Sequence, residues 1–389
     1  MSVTAAAGFV AAGVAAGIKA SGAPDLALVA TADGAPVAAA GVFTTNLAAA
    51  APVWVSRTHL DQTGGHAAAV VLSSGNANAA TGRRGVADAE RICALVAEGL
   101  GRPTPAVLIA QTGLIGIPLP LPVIEGAVPA LLSERAADRR GAERAAAAIM
   151  TTDTRAKEVV VESAGFTVGG MAKGAAMLAP RMATMLAVLT TDAGCEPGAL
   201  RAALREAVEA TFNRMTVDGC ESTNDTVLVL ANGRAGHGDE GALADALTEA
   251  CGSLARQMVA DAEGGTKVVH VVVRGAASDD EAHRAARRVA ESSLVKCSLN
   301  GEDPYWGRVA SELGSAGVVF DLDRLVVSYG DTVVCRGGVA APHDRASLAA
   351  YMAGDAVDLS CDLGLGPGRA AVLCADLGHG YIDENRTTS

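Results

Sequence analysis

Thr184 lies in an apolar stretch, KGAAMLAPRMATML (173–186), between Ala183 and Met185, with no histidine near it in sequence. A threonine hydroxyl is a poor nucleophile near pH 7 and needs a base. One base that requires no second side chain is the residue's own α-amino group, which exists only if the chain is cut before the threonine. A free α-amine has an unperturbed pKa of about 7.7–8.0, well placed to take the hydroxyl proton. The small Ala183 leaves room for the hydroxyl to attack its own upstream carbonyl, and that N-to-O shift would be the cutting step. A purely structural role is the alternative for any internal threonine, and the residue types alone leave both open.

Polar residues gather in six other places: LSSGNANAATG (72–82), AQTGLIG (110–116), AIMTTDTRAK (148–157), VDGCESTNDT (217–226), DAEGGTK (261–267) and NGEDPYWGR (300–308). Loops of this type, held by a rigid scaffold, often carry sites, although each taken singly also reads as an ordinary turn. The chain has no P-loop, HExxH or G-x-S-x-G elbow. Residues 364–368, GLGPG, read as a turn because proline interrupts the glycines. The seven histidines read as isolated residues of loops or polar helix faces. The eight cysteines (93, 195, 220, 251, 297, 335, 361 and 374) form no CxxC pair and no zinc spacing, and read as reduced core thiols.

These residues need a scaffold, and 389 residues suffice for two or three domains with a large core. Half the chain is apolar but only 3% is aromatic, so the core must be packed from small aliphatics. The formal net charge is -12 with no Lys/Arg run, which argues against a nucleic-acid partner. The N-terminal segment 1–22 lacks a basic n-region, its first positive side chain being Lys19, and does not read as a signal peptide. No run of eighteen strongly apolar residues points to the membrane. A cytoplasmic location is expected.

Strands are expected at 25–30, 38–43, 67–74, 106–113, 185–192, 225–233, 266–276, 324–335 and 369–377, and a hairpin over 157–174 with its turn at Ser163-Ala164-Gly165. Helices are expected at 87–100, 134–150, 197–212, 240–265 and 281–296. The result is an α/β chain without the regular βαβ rhythm of a doubly wound sheet. Its domain boundary is a loose one, expected near 275–300.

KGAAMLAPRMATML resembles the cleavage signature of the ornithine acetyltransferase family (bifunctional glutamate N-acetyltransferase/amino-acid acetyltransferase), K-G-x-G-M-x-x-P-x-M-A-T-M-L. GIKASGAPDLALV (17–29), AAGVFTTN (39–46) with AAPV (50–53), SSGNANAATG (73–82), AIMTTDT (148–154), STNDTVLVLANG (222–233), AEGGTK (262–267), SLVK (293–296) and GEDPYWGRV (301–309) match in order over nearly the whole chain. The resemblance implies self-cleavage between Ala183 and Thr184, giving an α chain of 1–183 and a β chain of 184–389. It implies a four-layered αββα fold of the N-terminal-nucleophile kind (α/β, α+β), with a core part of the β chain over about 184–275 and a smaller added domain over about 276–389.

The implied activity is a ping-pong cycle of arginine biosynthesis, in which Thr184 takes acetyl from N-acetylornithine and passes it to glutamate. Thr112 and Gly113 resemble the oxyanion pair, and Thr151, Lys173, Glu263, Asn385 and Ser389 match substrate-binding positions. No metal or organic cofactor is implied, although some members accept acetyl-CoA as a second acetyl donor. The implied partners are small amino acids and a second copy of each chain, in an α2β2 assembly or larger.

Three departures bear on specificity: Ser73 for the family's asparagine, Gln111 for serine before Thr112-Gly113, and Tyr305 for asparagine in DPYWGR. The tail after Asn385 is one residue short. Were these changes to line the pocket, the chain would be a paralogue moving acetyl to or from another amino acid. Water reaching an acetyl-Thr184 ester would instead make it an amidase or aminopeptidase.

Overall fold

A computed structural model describes residues 2–163, 165–178 and 185–386. The chain divides into two compact units, residues 2–213 with 220–258, and residues 214–219 with 259–386.

The first unit is built on two sheets. In one, β1 (Phe9–Val14), β2 (Leu26–Thr31), β5 (Ala69–Asn76) and β6 (Val107–Leu114) lie in that order, with only the β5–β6 pair parallel. The other has the order β4 (His66–Ala67), β3 (Val37–Phe43), β11 (Thr226–Ala231), β9 (Leu186–Thr191), β8 (Phe166–Lys173) and β7 (Lys157–Ser163). Side chains alternate between the faces of a strand, and the four-stranded sheet uses both. Ala27, Val29, Val70, Leu72, Leu108 and Ala110 face Met171, Leu186, Val188, Leu228 and Leu230 of the second sheet. Their neighbours Leu28, Val71 and Ile109 pack outward on α1 (Ala51–Gln62), α2 (Gly82–Leu100) and α3 (Leu121–Ser133).

On the far side of the six-stranded sheet lie α5 (Pro197–Ala210), which packs on β3 and β11, and α6 (Glu240–Ala260), whose Gln257 exchanges two hydrogen bonds with the Glu158 backbone. The layers are therefore αββα, as expected. Helix α4 (Arg139–Ala148) inserts Ala142, Ala145 and Ala146 into the interior between the sheets.

In the second unit, β10 (Met215–Thr216), β17 (Gly368–Ala375), β12 (Val268–Ala276), β16 (Ala356–Asp362), β13 (Val326–Tyr329), β14 (Thr332–Arg336) and β15 (Val339–Ala340) form one sheet in that order. Val269, Val271 and Val273 face α7 (Asp279–Glu291), α8 (Ser293–Asn300), α9 (Trp306–Gly314) and α10 (Arg345–Met352), while His270 and Arg274 are exposed. A short α11 (His379–Glu384) follows. Strand β12 precedes the boundary expected near 275, yet it is paired on both edges by strands of this unit.

Several expected elements differ. The helix over 134–150 is only α4, because Ala136 bridges Ala11 and Asp138 caps the helix from its side chain. The single helix over 281–296 breaks at Ser292, whose hydroxyl accepts the Val295 N–H and starts α8. The expected 240–265 helix ends at Ala260. His59 is not on a polar face: it is buried in α1, with Nδ1 2.7 Å from the Val107 carbonyl and Nε2 3.0 Å from Glu90. The cysteines are not uniformly core thiols, since Cys220 and Cys297 are exposed. No described helix is long and apolar enough to cross a membrane.

Small residues let the layers approach closely. A Cβ on Gly13 of β1 would lie 2.1 Å from the Arg144 carbonyl oxygen, so Gly13→Ala is expected to destabilise the protein by roughly 1–3 kcal/mol in urea unfolding. Gly126→Ala, in open space on α3, is expected to be neutral or stabilising by up to about 1 kcal/mol. The same titration checks both.

Candidate active site

In the first unit the ends of β6 and β8 meet. Lys173, the last residue of β8, is buried, and its ammonium lies 3.5 Å from the Thr112 hydroxyl on β6. Gly113 follows with φ +128°, and a Cβ there would sit 2.3 Å from the Gly75 carbonyl carbon of β5. Only glycine fits this position, and the bulge that begins at Asn76 marks the same close approach. The Ser74 hydroxyl donates to the Ala148 carbonyl at 2.6 Å and ties β5 to the loop that carries Thr151.

That loop is organised by Asp153. One carboxylate oxygen accepts from Lys157 Nζ at 2.5 Å and from the Gly174 N–H at 2.7 Å, and the other accepts from the Thr151 N–H at 2.9 Å. Both side chains of the Asp153–Lys157 pair are fully buried. Burial alone would raise the Asp153 pKa, but the Lys173 and Lys157 ammonium groups and the hydrogen bonds outweigh it and hold the carboxyl at about 2. Lys19 belongs to the same electrostatic group. Burial lowers its pKa, with Asp25 and Asp153 opposing that shift. Its backbone is fixed by Asp25, whose carboxylate accepts N–H bonds from Ala16, Gly17, Ile18 and Lys19.

Lys173, Thr112, Gly113 and Thr151 are thus brought together in one unit. Ala183, Thr184 and Ser389 lie outside the described residues. Met185, which follows Thr184, is buried, and its N–H donates to Asp225 Oδ1 at 2.9 Å. Glu263 and Asn385 come together in the second unit, Asn385 Nδ2 donating to Glu263 Oε2 at 2.7 Å and to the Tyr381 carbonyl at 2.8 Å. Gly264 permits this, since a Cβ on it would lie 2.1 Å from the Tyr381 nitrogen.

Two of the three departures are not in loops. Ser73 of β5 and Gln111 of β6 are register partners, both buried, and Gln111 Nε2 donates to Ser73 Oγ at 3.0 Å. An amide facing a hydroxyl, the pairing implied by the family's asparagine and serine, is kept with the two groups exchanged between strands. Tyr305 is exposed at the start of α9, with the Arg308 guanidinium 5.6 Å from its ring centroid. Sequence reasoning missed Lys19, Asp153, Asn224 and Asp225 as organising residues, although each lies in a stretch that was singled out or matched.

The profile of the ArgJ family matches residues 10–387. The chain belongs to the ArgJ family. The arginine biosynthesis bifunctional protein ArgJ of Mycolicibacterium paratuberculosis is 50% identical over 394 residues, covering 100% of this chain and 96% of its own. The ArgJ protein of Thermobifida fusca is 46% identical and is covered over its whole length, as is this chain. Among solved structures, the ornithine acetyltransferase of Mycobacterium tuberculosis complexed with ornithine is 46% identical over 46% of this chain and 94% of the solved chain, with a TM-score of 0.44.

The depressed Asp153 pKa makes a signed prediction for this ArgJ-family chain. A carboxyl lowered from 3.8 to about 2 contributes roughly 2–3 kcal/mol that is present above pH 4 and lost as pH falls through 2. Asp153→Asn is expected to cost about 3 kcal/mol or more at neutral pH, because it leaves buried cations without their carboxylate. It should also flatten the loss of stability between pH 4 and 2. Denaturant titrations across that range check both, and equal pH slopes in the two proteins would contradict the assignment.

Proposed function

We propose that this chain, an acetyltransferase of arginine biosynthesis by its family, moves acetyl from N-acetylornithine to glutamate through an ester on Thr184. Autoproteolysis comes first. The Thr184 hydroxyl attacks the Ala183 carbonyl, the peptide becomes an ester, and water releases an α chain of 1–183 and a β chain of 184–389. The freed α-amine of Thr184 is then the base. It takes the hydroxyl proton as the oxygen attacks the acetyl carbon, and the proton passes to the departing ornithine amine. Glutamate's amine attacks the acetyl-Thr184 ester in the second half-cycle.

The Thr112 hydroxyl and the Gly113 N–H would stabilise the oxyanion of each tetrahedral intermediate. Lys173 suits the α-carboxylate common to both substrates, Thr151 of the Asp153-centred loop would contact the same substrate, and Glu263 would offer a carboxylate to an amino group. Asn385 and Ser389 complete the assigned substrate contacts. An α2β2 assembly or larger is part of the same reading. The observation that carries it is the buried Lys173 ammonium beside the Thr112 hydroxyl and the positive-φ Gly113. The arginine-biosynthesis relatives at 46–50% identity support the pathway. The buried Ser73–Gln111 pair favours an unchanged substrate over a paralogue's altered one.

Denaturing mass spectrometry is expected to give two chains split between Ala183 and Thr184, and one uncut chain for Thr184→Ala. Thr112→Val, which removes one oxyanion donor, should lower kcat by about 10²–10³-fold. Acetyl transfer from N-acetylornithine should require glutamate. Hydrolysis at the same rate without glutamate would make the chain an amidase, and transfer from acetyl-CoA would add the second activity.

A further inference from the structure

The strand that follows Thr184 in sequence and the proposed oxyanion donors lie in different sheets of the first unit, β9 in the six-stranded sheet and β6 in the four-stranded one. Acyl transfer needs a fixed distance between them, and a misplacement of about 1 Å costs on the order of 10²-fold in rate. Two residues hydrogen-bonded to both sides have no role in the function proposed above. They are adjacent in sequence: Asn224 and Asp225, directly before β11.

Asn224 reaches the oxyanion side. Its amide donates both hydrogens, at 2.6 Å to the Ala77 carbonyl and at 2.8 Å to the Gln111 carbonyl. The Gln111 carbonyl shares a peptide unit with the Thr112 N–H, so this bond orients the plane from which Thr112 and Gly113 continue. The remaining amide oxygen accepts from the Thr223 hydroxyl at 2.6 Å. Asp225 reaches the other side. Oδ1 accepts the Met185 N–H at 2.9 Å, and the Thr226 N–H donates to the Met185 carbonyl at 3.1 Å. The residue after Thr184 is therefore held at both its backbone polar groups.

The dipeptide itself is braced. The Thr44 N–H donates to the Asp225 carbonyl at 3.0 Å, and the Thr44 hydroxyl donates to the Ser222 carbonyl at 2.8 Å. The Asn224 N–H donates to the Ser222 hydroxyl at 3.1 Å. Both Asn224 and Asp225 are buried.

We propose that Asn224 and Asp225 are positioning residues for acyl transfer, clamping the Gln111–Thr112 peptide and the backbone of Met185 at a fixed separation. The inference rests on the proposed role of Thr184. Burial pushes the Asp225 carboxyl well above the usual carboxylate range, against the Met185 N–H bond, and an amide is the conservative replacement because it keeps the oxygen that accepts that N–H.

The test uses the full-length protein, with self-cleavage followed by denaturing mass spectrometry and transfer from N-acetylornithine to glutamate followed at steady state. Asn224→Leu, alike in branching and number of side-chain heavy atoms but without hydrogen bonds, is expected to lower kcat by about 10²-fold with KM within about twofold. Asp225→Ala is expected to slow both cutting and kcat, and Asp225→Asn to recover most of either loss. If Asn224→Leu does not fold, Asn224→Ala carries the same kcat-against-KM comparison. A wild-type chain that cuts and transfers, with Asn224→Leu matching it in kcat or with Asp225→Asn as impaired as Asp225→Ala, overturns this inference alone. A wild-type chain that neither cuts nor transfers overturns the proposed function, and the inference with it.

Discussion

Lys157 and Lys173 are buried cations, and the Asp153 carboxylate they share is the constraint from which the first unit's polar site follows. A buried ammonium is tolerated only where its charge is met and its donors are used. Meeting that requirement fixes more than the two lysines. The same carboxylate accepts from the Gly174 and Thr151 backbones, so the end of β8 and the 148–157 loop cannot move independently. Lys173, whose ammonium lies 3.5 Å from the Thr112 hydroxyl, is stabilised by that same carboxylate.

Packing supplies the precision that such an arrangement needs. With few aromatics, the layers are filled by alanine, valine and leucine, and backbones approach where glycine allows it. The carbonyls of Ala136 and Ala11 would clash with a Cβ on Gly141, and that of Ser2 with one on Gly169. Close backbone contact leaves little rotamer freedom to absorb a shift, which suits strands whose ends must hold donors at fixed distances.

Much of the scaffold was legible in the sequence. The strands of the first unit are short continuous apolar runs because both faces of their sheets are covered, and runs of that kind were read correctly at 25–30, 67–74 and 106–113. Helices α1 and α3 were not, because proline at or near their starts and a weak apolar stripe disguise them, and α3 carries Pro129 within it. The ordered motifs pointed to the family, and the Lys173–Thr112 neighbourhood could be expected from them. What was not legible is which polar residues act on which. Asp153 and Asn224 look like ordinary loop residues until the fold places a lysine against one and a carbonyl against the other. The Ser73 and Gln111 departures read as two separate changes in loops, and only the strand register shows them to be one.

That register has a consequence for how such a sequence can change. Ser73 and Gln111 sit side by side in the interior, where an amide without an acceptor or a hydroxyl without a partner costs about 1–3 kcal/mol. Restoring asparagine at 73 alone would crowd two amides into the space of one, and restoring serine at 111 alone would leave two short hydroxyls facing a void. The two positions are therefore coupled in stability: a change at either one alone is expected to destabilise the strand pair, and a matched change at both to recover most of that loss.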